Sequence, residues 1–466
     1  MEVRTRFAPS PTGHLHLGNV RTALFNWLFS RHFHGRSVLR MEDTDRKRSS
    51  LEFEKAIIGD LNWLGLTYDE GPDKDGDYGP YRQSERIDAY LKYSEKLLEQ
   101  NRAYRCYCSR ERLEELKKSQ LKAGRPPRYD KRCRRLKVAP EGANPAIRFE
   151  VPGGKISFID LVHGPMSFDG AAFGDFIIIG ADRVATYNFA AAVDDGLMEI
   201  THVIRGEDHL SNTPRQILLS GALGFGPPEY MHLPLVLDTD RSPLGKRRCP
   251  LSIRNLREEG YPPEAILNAL ARLGWSFGEG FLTPLEMSGL FDGKGLSKSP
   301  AVFDVNILKK FGKTAMEKTP SGIIADSILP SFAGVERERL VKAVDMVKRN
   351  SHTSNELADL LSPLMKKPQF TEDALKILKE PHAGTVINAL KKALADVTEI
   401  NGEISAVIME GIKETGLKGA KLLLPVRAAL TGRTTGIELR SILVILGKEE
   451  MVKRINESFE RTGIAD

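Results

Sequence analysis

The chain is poor in cysteine. Four occur among 466 residues, too few for a secreted fold held together by disulfides, so a cytoplasmic location is expected. It also lacks any apolar run long enough to cross a bilayer, and no signal-peptide pattern follows Met1. Short-period repeats and low-complexity segments are absent, so no repeat architecture is expected. What is present is 41% hydrophobic and 28% charged residues, the mix of a soluble globular protein. This length accommodates roughly two to four domains, each with its own core.

The net charge of +6 is unevenly spread. Residues 101–140 carry fourteen Lys and Arg against four Asp and Glu, whereas 321–466 carry 21 against 20. A local basic patch is the electrostatic footprint of a polyanionic partner, and an ordinary solvated face is the alternative.

Residues 11–28 read PTGHLHLGNVRTALFNWL. His14 and His16 lie two apart, so in an extended segment they share a face and could chelate a metal, although no third ligand sits nearby. Gly18 stands at the mouth of a helix marked by Val20, Leu24, Trp27 and Leu28, with Gly35 as its stop. Backbone N–H groups there can meet an anion, and a neutral imidazole adds a donor to a phosphate. Both histidines also fit as plain loop residues.

VRTRFA (3–8) and SVLRM (37–41) read as strands, and a second amphipathic helix spans 51–64. This alternation predicts a parallel α/β sheet with ligands at the carboxyl ends of its strands. Residues 101–186 break the pattern with cysteines, the basic run and β-rich stretches, as an insertion would. The α/β pattern resumes at TYNFAAAVDDGLMEITHVIRGEDHL (186–210). From about 323 the pattern is almost purely helical.

RFAPSPTGHLHLGNVRTALFNWLF closely resembles the opening of bacterial glutamyl-tRNA synthetases, which are class I enzymes. The resemblance continues through RMEDTDRKRS, GPYRQSER, THVIRGEDHLSNTPRQI, GYPPEAILNALARLGWS and LLLPVRAALTGRTTGIELRSILVILGKEE, essentially the full length. It implies a Rossmann-type catalytic domain (1–100 and 187–240), an inserted acceptor-binding domain (101–186), a stem-contact region (241–322) and a helical anticodon-binding region (323–466). The implied reaction uses ATP with Mg2+ to activate L-glutamate and then esterifies tRNA-Glu, with tRNA-Gln as a further acceptor in a non-discriminating enzyme. A monomer is implied, since relatives are mostly monomeric.

Carried over by similarity, His16 stabilises phosphate charge and the Gly18 backbone lets ATP approach, with Pro9 and Asn19 beside them; His14 is incidental. An Arg fork suits a side-chain carboxylate, because paired charge-assisted bonds reward two oxygens and penalise an amide. The resemblance gives that part to Arg205, with Arg6 nearby, Glu42 for the α-amino group, and Ala8, Ser10 and Tyr187 shaping the pocket. Ala191 stands where many relatives have Asn.

The second ATP motif departs more. Pro243-Leu244-Gly245-Lys246-Arg247 aligns with the Lys-Leu-Ser-Lys-Arg of relatives, keeping one lysine of two. Lys246, with Arg247, is therefore expected to carry the loop's role at lowered turnover. GLSKSPAVFD (295–304) is a decoy, because relatives have a similar stretch after their true loop. A catalytically weakened paralogue that binds tRNA is the alternative this loop raises. Finally, Cys106, Cys108 and Cys133 resemble the zinc module of some members. The resemblance implies Tyr129 as fourth ligand, at a position used by a close relative of the family, while Arg135, where other members place His, cannot ligate. Reduced structural thiols are the alternative.

Overall fold

The computed structural model describes residues 2–45, 47–136, 140, 144–238, 240–242, 252–278, 280–395 and 397–462. Strand β1 (Arg4–Phe7) is buried along its whole length. Helix α1 (Leu17–His32) follows, with Leu17, Val20, Leu24, Phe25 and Leu28 fully buried. It delivers the chain to β2 (Arg36–Leu39), which pairs parallel to β1. Helix α1 ends at His32, with His34 in the left-handed conformation (φ 53°), so Gly35, expected as the helix stop, lies past that end and is glycine for a different reason. A Cβ there would stand 2.0 Å from the carbonyl oxygen of Val3, so the two backbones approach too closely for any side chain. Helix α2 (Leu51–Trp63) begins at Ser50, whose hydroxyl accepts the Phe53 N–H, and α3 (Ile87–Glu99) comes next.

The chain then forms β3 (Ala103–Cys106), α4 (Arg110–Lys122) and β4 (Ala146–Phe149). These lead to β5 (Lys155–Asp160), β6 (Gly164–Asp169), β7 (Phe176–Ile179) and α5 (Tyr187–Leu197). After them come β8 (His202–Gly206), α6 (Thr213–Leu223), β9 (Glu229–Leu233), β10 (Val236–Leu237) and β11 (Ala301–Val302).

The main sheet has the order β2-β1-β8-β9-β5-β6 and is parallel except for β6 at its edge. Two of its strands, β5 and β6, come from within the segment expected as an insertion. Only β3, β4 and β7 make a separate antiparallel sheet. The physical reason is that β9 would otherwise present an open edge, and β5 covers it, with Asp160 opposite Tyr230.

The chain divides into two compact units, one of residues 1–256 with 267–305, the other of 257–266 with 306–466. The stretch 241–322 is thus shared between them. In the second unit every regular element among the described residues is helical, around a core that includes Leu340, Val344, Leu357, Leu361, Leu390 and Leu443. Buried Arg454 ties its helices together by donating to the carbonyls of Leu364, Lys366 and Leu430 and to Glu450. No helix among the described residues is long and apolar enough to cross a membrane.

Candidate active site

A cavity of about 700 Å3 opens at the carboxyl ends of β1, β8 and β9. Arg6, Ala8, Pro9, Ser10, His16, Gly18, Asn19, Glu42, Tyr187 and Arg205 all line it. Lys246, Arg247 and the rest of their loop lie outside the described residues.

His16 is the N-cap of α1. Its Nδ1 accepts the backbone N–H of Asn19 at 3.3 Å, while the Asn19 side-chain oxygen accepts the backbone N–H of His16 at 3.4 Å. Because Nδ1 is an acceptor here, the proton of the neutral ring sits on Nε2. Packed protein on the inner side of the ring pulls its pKa below the ordinary value, against a weaker opposing pull from Asp208. The ring is therefore a neutral donor beside the positive end of a helix, which suits an oxygen gaining negative charge. His14 packs edge-on against Phe53 at 5.4 Å while also lining the cavity. Among the described residues the one gathering of three or more potential metal ligands is the cysteine trio, and no such group includes His14 or His16.

Glu42 follows β2 and is held by Arg40, whose Nη2 donates at 3.3 Å. Burial raises the Glu42 pKa, with Arg40 and Arg6 opposing. A bound ammonium would favour its charged form. Burial would also raise Asp195, but Arg6 and Arg40 outweigh it, and its pKa lies below the usual range. Arg40 is wholly buried and bonded to Asp195 at 2.6 Å, so it orients Glu42 from behind. Neither Arg40 nor Asp195 was singled out from sequence; an Arg inside an apolar strand followed by Glu was the available signal.

Arg205, 5% exposed, projects from β8. Its guanidinium donates to Thr213 Oγ1 at 2.7 Å, Gln216 Oε1 at 2.8 Å, His232 Nε2 at 3.2 Å and Tyr187 OH at 3.5 Å. None of these partners carries charge. By contrast, Arg6 is already paired with Asp195 at 3.2 Å. Buried Arg21, also missed, lines the cavity and donates to the Pro234 carbonyl at 2.6 Å; burial draws its pKa down to about 10. Ala191 is fully buried within α5.

The sulfurs of Cys106, Cys108 and Cys133 lie within 4.8 Å of one another. Tyr129 OH stands 3.5 Å from Cys106 Sγ and 3.3 Å from Cys108 Sγ. A tetrahedral zinc site has ligand-to-ligand spacings of about 3.5–4 Å, so this donor set fits the metal. Burial opposes ionisation of Cys106, but hydrogen bonds from Tyr129 and Arg148 outweigh it and its pKa is lowered. Cys108 is pushed up by burial, with the neighbouring thiols adding to the effect. Lys117, Lys118, Lys122, Arg125 and Arg128 are exposed on and after α4 nearby.

Residues 2–310 match the family described as tRNA synthetases class I (E and Q), catalytic domain, and 323–459 match an anticodon binding domain. Among curated proteins, the glutamate–tRNA ligase of Carboxydothermus hydrogenoformans is 43% identical, covering 98% of this chain and all of that protein. The chain belongs to the bacterial glutamyl-tRNA synthetase family. The glutamate–tRNA ligase of Bacillus subtilis is 41% identical over 97% of this chain and 99% of that protein. A crystal structure of the glutamate tRNA ligase of Elizabethkingia meningosepticum in complex with its amino acid superposes with a TM-score of 0.86 at 31% identity, covering 99% of both chains. The mixed α/β core and the all-helical C-terminal region are those of this synthetase family.

Proposed function

We propose that this glutamyl-tRNA synthetase joins L-glutamate to tRNA-Glu through a glutamyl-adenylate formed with Mg2+-bound ATP. Full-length relationship to glutamate–tRNA ligases supports this over a weakened tRNA-binding paralogue. The observation that carries the site assignment is one cavity holding both a neutral imidazole donor at a helix mouth and a buried guanidinium without an anionic partner among the described residues.

In this reading the glutamate side-chain carboxylate pairs with Arg205, whose bonded partners are all neutral, and its ammonium faces Glu42. Arg6, Ala8, Ser10 and Tyr187 bound the same pocket. The α-carboxylate attacks the α-phosphorus of ATP, pyrophosphate leaves, and His16 Nε2–H donates to the phosphate as negative charge builds. Asn19 holds His16, while Pro9 and Gly18 leave room for the nucleotide. Lys246 and Arg247 neutralise the triphosphate from their loop. Catalysis is then alignment and charge neutralisation with no covalent enzyme intermediate.

Cys106, Cys108, Tyr129 and Cys133 would hold one structural Zn2+, which stiffens the module that carries the basic run. That run grips the tRNA acceptor end through phosphate contacts, so binding weakens steeply with salt. The helical region reads the anticodon. The protein is cytoplasmic and monomeric, and tRNA-Gln is a second acceptor to be tested. ATP–pyrophosphate exchange with tRNA present, followed by charging of purified tRNA-Glu and tRNA-Gln separately, tests the proposal. Lys246→Ala and Arg205→Ala should each abolish most exchange; full activity in either removes that residue from the site.

A further inference from the structure

Three adjacent strands each contribute one polar group to a chain that begins at the cavity wall with Arg205 and runs behind it. Arg205 on β8 is the cross-strand partner of His232 on β9, and Asp160 ends β5 on the far side of β9. His232 and Asp160 are sealed in, at 0% and 1% exposure. The Asp160 carboxylate accepts the backbone N–H groups of Val162 and His163 at 2.9 Å and of His232 at 3.1 Å. It also lies 2.6 Å from His232 Nδ1.

A carboxylate with that many donors is ionised, and hydrogen bonds from His232 and the backbone hold its pKa below the usual range despite burial. The proton of His232 is thereby fixed on Nδ1, which leaves Nε2 as an acceptor. Nε2 receives Arg205 Nε–H at 3.2 Å and lies 3.0 Å from Thr213 Oγ1, which itself accepts from Arg205 Nη2. Burial drops the His232 pKa to about 4, with Arg205 and His163 adding to the fall and Asp160 opposing it, so the ring stays neutral.

The distinction matters for selectivity. Asp160 in direct contact with Arg205 would orient the guanidinium and also cancel its charge, and an incoming carboxylate would gain little. An interposed neutral imidazole orients the same group and leaves the charge available.

We propose that Asp160 and His232 are positioning residues for amino-acid selection, holding Arg205 oriented but uncancelled for the side-chain carboxylate of glutamate. This rests on the assignment of Arg205 to glutamate binding. The test is steady-state ATP–pyrophosphate exchange with tRNA, varying glutamate, glutamine and ATP separately.

His232→Leu and Asp160→Asn should raise the KM for glutamate roughly 10–100-fold, with the KM for ATP unchanged within about twofold. The preference for glutamate over glutamine in kcat/KM should fall by a similar factor. His232→Gln, whose amide can both donate to Asp160 and accept from Arg205, should recover most of the loss. Equal changes in both KM values, or an unchanged glutamate KM, would overturn the proposal. If the leucine variant does not fold, 15N NMR of histidine-labelled wild-type protein decides instead. With His232 identified through His232→Gln, a protonated Nε2 at neutral pH would overturn the relay, and an unprotonated one supports it. Arg205→Ala is the separate control: wild-type glutamate kinetics in that variant would remove the glutamate-site reading itself.

Discussion

The ring of His16 rests on the bare backbone of Gly18, where an added Cβ would stand 3.1 Å from both Cε1 and Nδ1 of the imidazole. Glycine at this position therefore serves the histidine as well as any nucleotide that approaches. Gly18→Ala should tilt the ring and slow ATP–pyrophosphate exchange about 10–100-fold, against about 100–1,000-fold for His16→Ala. If the two act through the same hydrogen bond, the double variant is no slower than His16→Ala alone. Full additivity would return Gly18 to a role in nucleotide approach only.

Acid should weaken the fold through His232. Its pKa lies near 4 in the folded chain, against about 6.5 when exposed. Between those values the unfolded chain takes up a proton that the fold refuses. Stability is complete above about pH 6.5 and is lost as pH falls toward 4, by on the order of 3 kcal/mol. Asp160, with its lowered pKa, adds a further loss only below its own ordinary range. Thermal unfolding across that window should show a flatter profile for His232→Gln than for wild type.

Metal analysis of protein purified without chelators should return one zinc per chain. Cys108→Ser should lose it and slow tRNA charging, while exchange of pyrophosphate into ATP changes less, because the thiols lie outside the cavity's lining. Substoichiometric zinc in the wild type would leave the cluster as reduced structural thiols.

In the helical unit, Gly432 ends the helix Ala420–Thr431 with φ +70°. A Cβ there would also meet the Gln369 carbonyl oxygen at 2.5 Å. Gly432→Ala should cost about 1–3 kcal/mol from the left-handed backbone and the clash together. Denaturant unfolding measures it, and a change within about 0.5 kcal/mol would show that the backbone shifts freely.

The strands at 3–8 and 37–41 and the helix at 51–64 were legible because each signal is local: short apolar runs, a turn glycine, amphipathic spacing. They appear as Arg4–Phe7, Arg36–Leu39 and Leu51–Trp63. The cavity-lining residues could be read through resemblance, residue by residue. What could not be read were groups acting across strands. Arg40 and Asp195, and likewise Asp160 and His232, are far apart in the chain; the packing of α5 makes the first pair neighbours and the order of β5 and β9 the second. The same holds for β5, whose place beside β9 no periodicity announces.

That shared strand limits how this protein can be taken apart. A minimal aminoacylation module made by splicing residue 100 to residue 187 would keep both halves of the nucleotide crevice. It would nonetheless discard Asp160, and with it the proposed anchor under the residue to which the choice of an acid over an amide is assigned. Trimming away the RNA-gripping part of such a protein should therefore blur its choice of amino acid.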